Sequence, residues 1–364
     1  MGLKIGIVGL PNVGKSTVFN ALTKAGAQVA NYPFCTIDPN VGIVPVPDLR
    51  LQRLTEMYKP EKVTPTIIEF VDIAGLVKGA STGEGLGNQF LGHIKEVDAI
   101  LHVVRCFEDP DVIHVSGKVD PVQDIEVIHT ELCLRDLETV NARARKLEKT
   151  AKGGDKEAIA ILSVVQKATK LLEAGTPIRK GAWGKEEVPF LRELQLITQK
   201  PVLYGANVKE SDLPKGGPLV DQVRELAKPE GSQVVVICGK VEAEVAELSD
   251  EEAKLYLKEF GLEESGLNQL IRLGYQLLGL NTFLTAGEKE VRAWTVHKGA
   301  TAPQAAGVIH SDFERGFIRA EIMRYDDLVK YGSQQAVKEK GLYRIEGKEY
   351  IMQDGDVVYF RFNV

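Results

Sequence analysis

The sequence has no apolar run approaching the ~18 residues a helix needs to cross a bilayer. It also has no charged-then-apolar leader and no lipidation motif, so a cytosolic chain without a membrane partner is expected. Cysteine is scarce. Cys35, Cys106, Cys133 and Cys238 are scattered without a CxxC pair, which argues against a zinc or disulfide framework and reads as reduced, buried thiols. There is no excess of basic residues: the net charge of −6 argues against a generally basic nucleic-acid binder while leaving room for a local basic face. Low-complexity tracts are absent, as is any readable catalytic Cys/His pair, Ser triad or metal-ligand cluster, which disfavours a metabolic enzyme with a second substrate.

What is present is a chain of 364 residues, long enough for two or three domains. Up to about residue 128, apolar runs such as Lys4 to Val8, Thr66 to Val71 and Ala99 to Val104 alternate with helical patterns, as in a parallel α/β sheet. Pro201 to Tyr204 and Val234 to Cys238 have the same buried-strand character and are expected to complete that sheet. Between them the apolar period becomes 3.6: Leu132, Leu137, Val140, Ala144 and Leu147, a break at Lys152 to Asp155, then Ala158, Ile161, Val165, Ala168 and Leu172. That pattern predicts a helical hairpin inserted into the α/β domain. Residues 131–200 hold 14 Lys+Arg against 10 Asp+Glu, a local +4 that fits either a solvated face or a partner-binding arm. After the helical Gly266 to Leu278, short strands at Val291 to Val296, Phe313 to Ile322 and Val357 to Phe362, with helices at Ala302 to Ile309 and Asp326 to Tyr331, predict a small α+β module. The expected division is 1–128 with 200–280, an insertion at 129–199, and 281–364.

Directly after the first strand, Gly9-Leu10-Pro11-Asn12-Val13-Gly14-Lys15-Ser16-Thr17 satisfies GxxxxGK[ST] and opens a helical run. Glycines let backbone N–H groups wrap phosphates, the helix start adds a positive dipole, Lys15 reaches the β/γ oxygens and Ser16 offers a hydroxyl to Mg²⁺. Asn12, Val13, Gly14, Lys15, Ser16 and Thr17 are therefore the expected phosphate site. Some sixty residues on, Asp72-Ile73-Ala74-Gly75 ends a strand as DxxG; Asp72 would hold a magnesium-bound water and the Gly75 N–H would sense a γ-phosphate. Thr36, between the first helix and the next strand, is the natural switch threonine and third Mg²⁺ ligand.

With these elements in order, the chain resembles the YchF/Obg-like ATPase family of the Obg superfamily of P-loop NTPases. GLPNVGKST, NYPFCTIDPN, FVDIAGLVKGAS, GEGLGNQF, ANVKE and GATAPQAAGVIHSDFERGFIRAE carry the resemblance over nearly the whole length. It implies an Obg-type G domain, a helical coiled-coil insertion and a C-terminal ubiquitin-like TGS domain. It also implies ATP over GTP, and work on the ribosome or ribosomal RNA, since TGS domains occur in proteins that act there. Residues 281–364, with 12 Lys+Arg and 12 Asp+Glu, give no electrostatic support of their own; the helical insertion is the better candidate.

Where a G protein carries Asn-Lys-x-Asp to read guanine, this chain has Asn207-Val208-Lys209-Glu210. The aspartate of that motif accepts from guanine N1–H and the N2 amine. Glu210 holds its carboxylate one methylene further out, and Val208 replaces the lysine that packs on the base. Relaxed or adenine-favouring selectivity is expected, with the Asn207 amide able to pair adenine N7 and N6. Cys238, Gly239 and Lys240, after a later strand, occupy the place of the usual Ser-Ala-Lys loop and could give the base a backbone contact. Leu76 follows DxxG in place of a water-orienting glutamine, so hydrolysis is slow or water is placed by another group. His114, on the segment after the strand ending at Val104, is the expected catalytic group beside Lys15, and Asn12 could help hold K⁺ against the phosphates. The expectation is a monomeric Mg²⁺-dependent ATPase switch; the alternative is a nucleotide-ordered binding module with little hydrolysis.

Overall fold

The computed structural model describes residues 3–26, 40–73, 94–109 and 117–363, so Cys35, Thr36, Gly75, Leu76 and His114 lie outside the described residues. In chain order the elements are β1 (Lys4–Val8), α1 (Lys15–Gly26), β2 (Val41–Pro45), α2 (Leu49–Tyr58), β3 (Lys62–Thr64), β4 (Ile67–Asp72) and β5 (Ala99–Arg105). There follow α3 (Pro121–Ala151), α4 (Lys156–Glu173), α5 (Val188–Leu194), β6 (Val202–Asn207), α6 (Gly217–Ala227), β7 (Gln233–Ile237), α7 (Gly239–Val245), α8 (Asp250–Glu259) and α9 (Gly266–Leu277). The last part is β8 (Leu280–Ala286), β9 (Glu290–His297), α10 (Ala302–Ile309), α11 (Ser311–Arg315), β10 (Phe317–Arg324), α12 (Tyr325–Tyr331), α13 (Gln334–Glu339), β11 (Arg344–Glu346) and β12 (Asp356–Phe362). These form two compact units: Met1–Val44 with Glu69–Gly274, and Pro45–Ile68 with Tyr275–Val364.

The first unit is built on a six-stranded sheet of order β2-β4-β1-β5-β6-β7. β4, β1, β5, β6 and β7 pair in parallel. Every residue of β5 and β6 is buried, as befits central strands covered on both faces. From this unit projects the α3–α4 hairpin. Pro121 opens α3 where its missing N–H costs nothing, and the Asp120 side chain caps it by accepting from the Gln123 N–H at 3.1 Å. Gly154, at φ 81°, turns the chain, and Asp155 caps α4 through the Glu157 and Ala158 N–H groups. Val140, Leu147, Ala158, Ile161, Val165, Ala168 and Leu172 pack between the two helices.

Two buried polar clusters fasten the base of this hairpin. The Asp136 carboxylate accepts from the Ile197 N–H at 2.9 Å and from the Thr198 N–H and hydroxyl, each at 2.7 Å. Glu230 accepts from Arg179 Nε at 2.8 Å and Lys180 Nζ at 2.9 Å, while the Tyr204 hydroxyl donates to it at 3.2 Å. Arg179 also gives an N–H to His129 Nε2 at 2.8 Å. Burial first, and then the Arg179 and Lys180 charges, pull the His129 imidazole down to about 3, so it is neutral and can accept.

The second unit is a sheet of order β11-β10-β12-β8-β9-β3. β8 and β9, β10 and β12, and β10 and β11 are antiparallel, whereas β12 lies parallel to β8 and β3 parallel to β9. Phe283, Val296, Ala305, Phe317 and Phe360 form one core; Leu51, Leu54, Leu284, Val291, Leu328 and Val357 form another. Residues 45–68, expected inside the first half of the α/β domain, thus supply α2 and the edge strand β3 to the C-terminal sheet. The physical reason is that Leu51 and Leu54 find their apolar partners there, and that the Asp48 carboxylate, which caps α2, also holds Arg50, whose guanidinium reaches Asp354 at 2.6 Å. A second difference concerns Phe313, expected in a strand. Residues Ser311–Arg315 form a helical turn capped by His310 Nδ1, and Gly316 then passes so close to Asn363 that a Cβ would lie 2.2 Å from its carbonyl oxygen.

Cys106, Cys133 and Cys238 are free and buried, and among the described residues no helix is long and apolar enough to cross a membrane. One buried carboxyl in the first unit carries a testable charge. Glu242 on α7 is 2% exposed; its Oε1 accepts from the Gly266 N–H at 2.7 Å, while Oε2 has no hydrogen-bond partner among the described residues. Burial pushes its pKa from 4.5 up to about 7, against the pull of the Gly266 and Leu267 N–H groups and the Ser265 hydroxyl. Between those values the folded chain binds more protons than the unfolded one, so this group favours folding below about pH 4.5 and that contribution is lost as pH rises through about 7. Glu242→Gln is therefore expected to be more stable than wild type at pH 8, by on the order of 2–3 kcal/mol, with the difference vanishing toward pH 4.5. Urea unfolding midpoints at the two pH values check it; equal wild-type and variant midpoints at pH 8 would refute it.

Candidate functional site

In the parallel sheet the chain leaves β1 toward β2 and β4, and leaves β5 toward β6 and β7, so a crevice opens at the carboxyl ends of β1 and β5. Residues 9–14 fill the step from β1 to α1 at that crevice. Gly9, Asn12 and Gly14 have φ of 155°, 62° and 100°. A Cβ on Gly9 would sit 2.4 Å from the Val103 carbonyl oxygen of β5, and one on Gly14 would sit 2.3 Å from Asn207 Nδ2. Both positions therefore need glycine for space as well as for conformation. A loop of this curvature leading into a helix start is an anion cradle. Val13 contributes only backbone, its side chain being buried, while Ser16 and Thr17 are exposed on the first turn of α1.

Lys15 is buried, and its ammonium donates to the Leu10 carbonyl at 2.7 Å, folding back over the loop. Burial lowers its pKa, and the Asp72 charge partly restores it. Asp72, at the end of β4 and in register with Ile7, shows the mirror effect: burial raises its pKa and Lys15 lowers it. Asp72 Oδ1 is buried with no hydrogen-bond partner among the described residues. A buried carboxylate oxygen without a partner among the described residues, within reach of the Lys15 charge at an anion cradle, fits a hard divalent cation that takes oxygen ligands.

Asn207 ends β6, buried. Its Nδ2 donates to the Val13 carbonyl at 2.9 Å and its Oδ1 accepts from the Gly239 N–H at 3.1 Å. One amide thus ties the cradle to the start of α7. The sequence-based pairing of this amide with adenine N7 and N6 must accordingly be made with the one N–H and the one lone pair left over. Val208, expected to touch the base, is 2% exposed and its N–H goes to the Ile237 carbonyl at 2.8 Å, so its side chain belongs to the core and offers no face to a ligand. Glu210 opens a 3₁₀ turn (Glu210–Asp212) and its Oε1 lies 2.6 Å from Lys240 Nζ. Cys238 is buried, its thiol pushed up in pKa by that burial, and it offers a ligand no more than backbone. A Cβ on Gly239 would meet Thr17 Cγ2 at 3.2 Å, which puts α7 against the first turn of α1.

The structure therefore brings residues 12–17, Asp72, Asn207 and Gly239 to one edge of the sheet, whereas Thr36, Gly75 and His114 lie outside the described residues. One neighbour escaped the sequence reading. Arg105 ends β5 opposite Asn207, 1% exposed, its guanidinium giving Nε–H to the Phe107 carbonyl at 3.1 Å and lying 4.8 Å over the Phe107 ring. Its signal was a cation closing an otherwise apolar strand. Lys240 stands on the loop expected to give the base a backbone contact, but its pairing with Glu210 had no local signal, since that partner is thirty positions away.

Residues 4–167 match the family model MMR_HSR1, described as "50S ribosome-binding GTPase". Residues 280–363 match the model YchF-GTPase_C, described as "Protein of unknown function (DUF933)". The chain is 57% identical over 364 residues to a protein of Haemophilus influenzae and 57% identical over 366 residues to one of Bacillus subtilis, each named "Ribosome-binding ATPase YchF" and each alignment covering both chains completely. Among solved structures it resembles that of the Schizosaccharomyces pombe YchF GTPase, with a TM-score of 0.89 and 42% identity over 99% of this chain and 98% of that one. Similarity of this degree over the whole length means that the chain belongs to the YchF family.

Proposed function

We propose that the chain is a nucleotide-binding, ribosome-associated ATPase, a Mg²⁺-dependent switch that hydrolyses ATP slowly to ADP and phosphate. The observation that carries the reading is the cradle of residues 9–14 with Lys15 beside Asp72, whose orphaned Oδ1 is available to a cation. The Haemophilus influenzae and Bacillus subtilis relatives are named as ribosome-binding ATPases, which supports both the partner and the nucleotide, while the similar Schizosaccharomyces pombe protein is named as a GTPase. In favour of ATP, Glu210 is engaged by Lys240 and Val208 is withdrawn from the surface, so the carboxylate is not free and no side chain at 208 is offered to pack on a base.

In this reading the loop N–H groups and Lys15 hold the triphosphate, and Asn207 fixes the loop that receives it. Mg²⁺, held by Ser16, Asp72 and, outside the described residues, Thr36, would offset charge on the β- and γ-phosphates. Asn12, with its left-handed backbone, is assigned to a K⁺ beside them, and His114 to orienting water in place of the glutamine that Leu76 displaces. The α3–α4 hairpin, with exposed Arg145, Lys146, Lys149, Lys152 and Lys156 at its tip, is the part assigned to ribosomal RNA.

Calorimetric titration with Mg²⁺ is expected to show ATP bound at least as tightly as GTP; GTP tighter by tenfold, about 1.4 kcal/mol, would overturn the ATP reading. Lys15→Ala is expected to lose most triphosphate affinity with an unchanged thermal unfolding midpoint, because its ammonium contacts a loop carbonyl and packs little core. Asp72→Asn is expected to raise the Mg²⁺ concentration needed for half-maximal phosphate release about tenfold or more, since a neutral amide oxygen is the poorer ligand. A wild-type Mg²⁺ response would remove Asp72 from the cation site.

A further inference from the structure

Glu210 and Lys240 belong to the two loops that Asn207 joins. Glu210 is the third residue after Asn207, its backbone set by the Glu210–Asp212 turn, and Lys240 follows the Gly239 whose N–H bonds Asn207. Their ion pair, at 2.6 Å, is thus an outer tie across the carboxyl ends of β6 and β7. We propose that Lys240 is a positioning residue for base selectivity: by engaging the Glu210 carboxylate it keeps that carboxylate from serving as the acceptor for a guanine edge, and so favours adenine. The inference rests on the assignment of these loops to the base under the proposed function.

The chemistry is one of donors and acceptors. Guanine presents N1–H and an N2 amine, which call for an ionised carboxylate, whereas adenine presents an unprotonated N1, which a bare carboxylate repels. Guanine must take Glu210 from Lys240 to be read; adenine need not. Whatever the pair is worth therefore enters the ratio of the two affinities in full, even though both side chains are largely open to water, Lys240 at 70% and Glu210 at 38%. The surroundings sharpen the role. Glu210 and then Glu244 hold the Lys240 ammonium above its ordinary range, and the Tyr256 hydroxyl bonds Glu244, so removing Lys240 leaves two carboxylates at this rim without their shared cation.

The test is the ratio of ATP to GTP dissociation constants, measured calorimetrically with Mg²⁺ and read relative to wild type, so that it is decided whichever base wild type prefers. Lys240→Met, which keeps an apolar stem, is expected to move the ratio toward GTP by about fivefold, at the upper end for an exposed ion pair. Lys240→Arg is expected to restore the wild-type ratio, and Glu210→Gln added to Lys240→Met to abolish the shift. Lys209→Met, which removes a neighbouring charge whose ammonium has no ion-pair partner among the described residues, serves as control and is expected to leave the ratio unmoved. An unchanged ratio in Lys240→Met, or an equal shift in Lys209→Met, would overturn the proposal. A wild type that prefers GTP tenfold would instead sink the ATP reading while leaving the Lys240 shift measurable.

Discussion

One side-chain amide sets the geometry on which the candidate site depends. Asn207 spends an N–H on the Val13 carbonyl and its oxygen on the Gly239 N–H, so loops from three distant parts of the chain share one planar group. Both bonds are buried, where an unmade partner costs about 1–3 kcal/mol, and neither water nor a neighbouring side chain can replace them without moving backbone. Gly14 is the reciprocal condition: any side chain there would press on Asn207 Nδ2. The main-chain bond from the Cys106 N–H to the Asn207 carbonyl, at 2.8 Å, extends the same tie to the end of β5. Cradle, base loop and sheet edge are thus positioned together.

The hairpin is anchored by another logic. Its root carries a carboxylate withdrawn from water, Glu230, which meets the buried Arg179 side chain, the more exposed Lys180 and a phenol, with His129 kept neutral so that it can accept from Arg179. Burying ions gains little net stability, but breaking one partnership leaves a stranded charge at a cost of about 3–5 kcal/mol. Such a joint specifies one orientation of the arm more than it strengthens it. Burial of His102 beside this joint, reinforced by the Arg179 and Lys15 charges, drives its pKa well below the ordinary range, so this imidazole too is neutral.

Much of this was readable in the residues because local rules and tertiary demands agreed. The strands β1, β4, β5, β6 and β7 are continuous apolar runs, the α3–α4 hairpin has a clean 3.6 period broken at a Gly-Gly-Asp, and GxxxxGK[ST] falls between a strand and a helix. What stayed illegible depended on partners far along the chain. Lys62 to Thr64 is too short and polar to announce a strand until β9 is beside it. Phe313 looks like a strand residue, yet it sits in the helical turn Ser311–Arg315 and stacks on Phe362 at 3.7 Å, a partner far along the chain. Val208 read as a base contact because its position in a motif was visible and its burial was not.

The residency of residues 45–68 in the C-terminal sheet has a consequence for the order in which the chain can fold. Leu51 and Leu54 emerge from the ribosome early, yet their packing partners Leu284, Val291 and Val357 are among the last residues made. The Thr64 hydroxyl reaches Glu290 across 226 positions of sequence. Contacts that distant close slowly, since a long loop must be ordered before they reward it. During synthesis, α2 and β3 must therefore wait with an apolar face uncovered until the C-terminal strands are made. A fragment beginning near residue 280 would lack that face's cover, so the C-terminal unit is complete only in a chain that carries its own early segment.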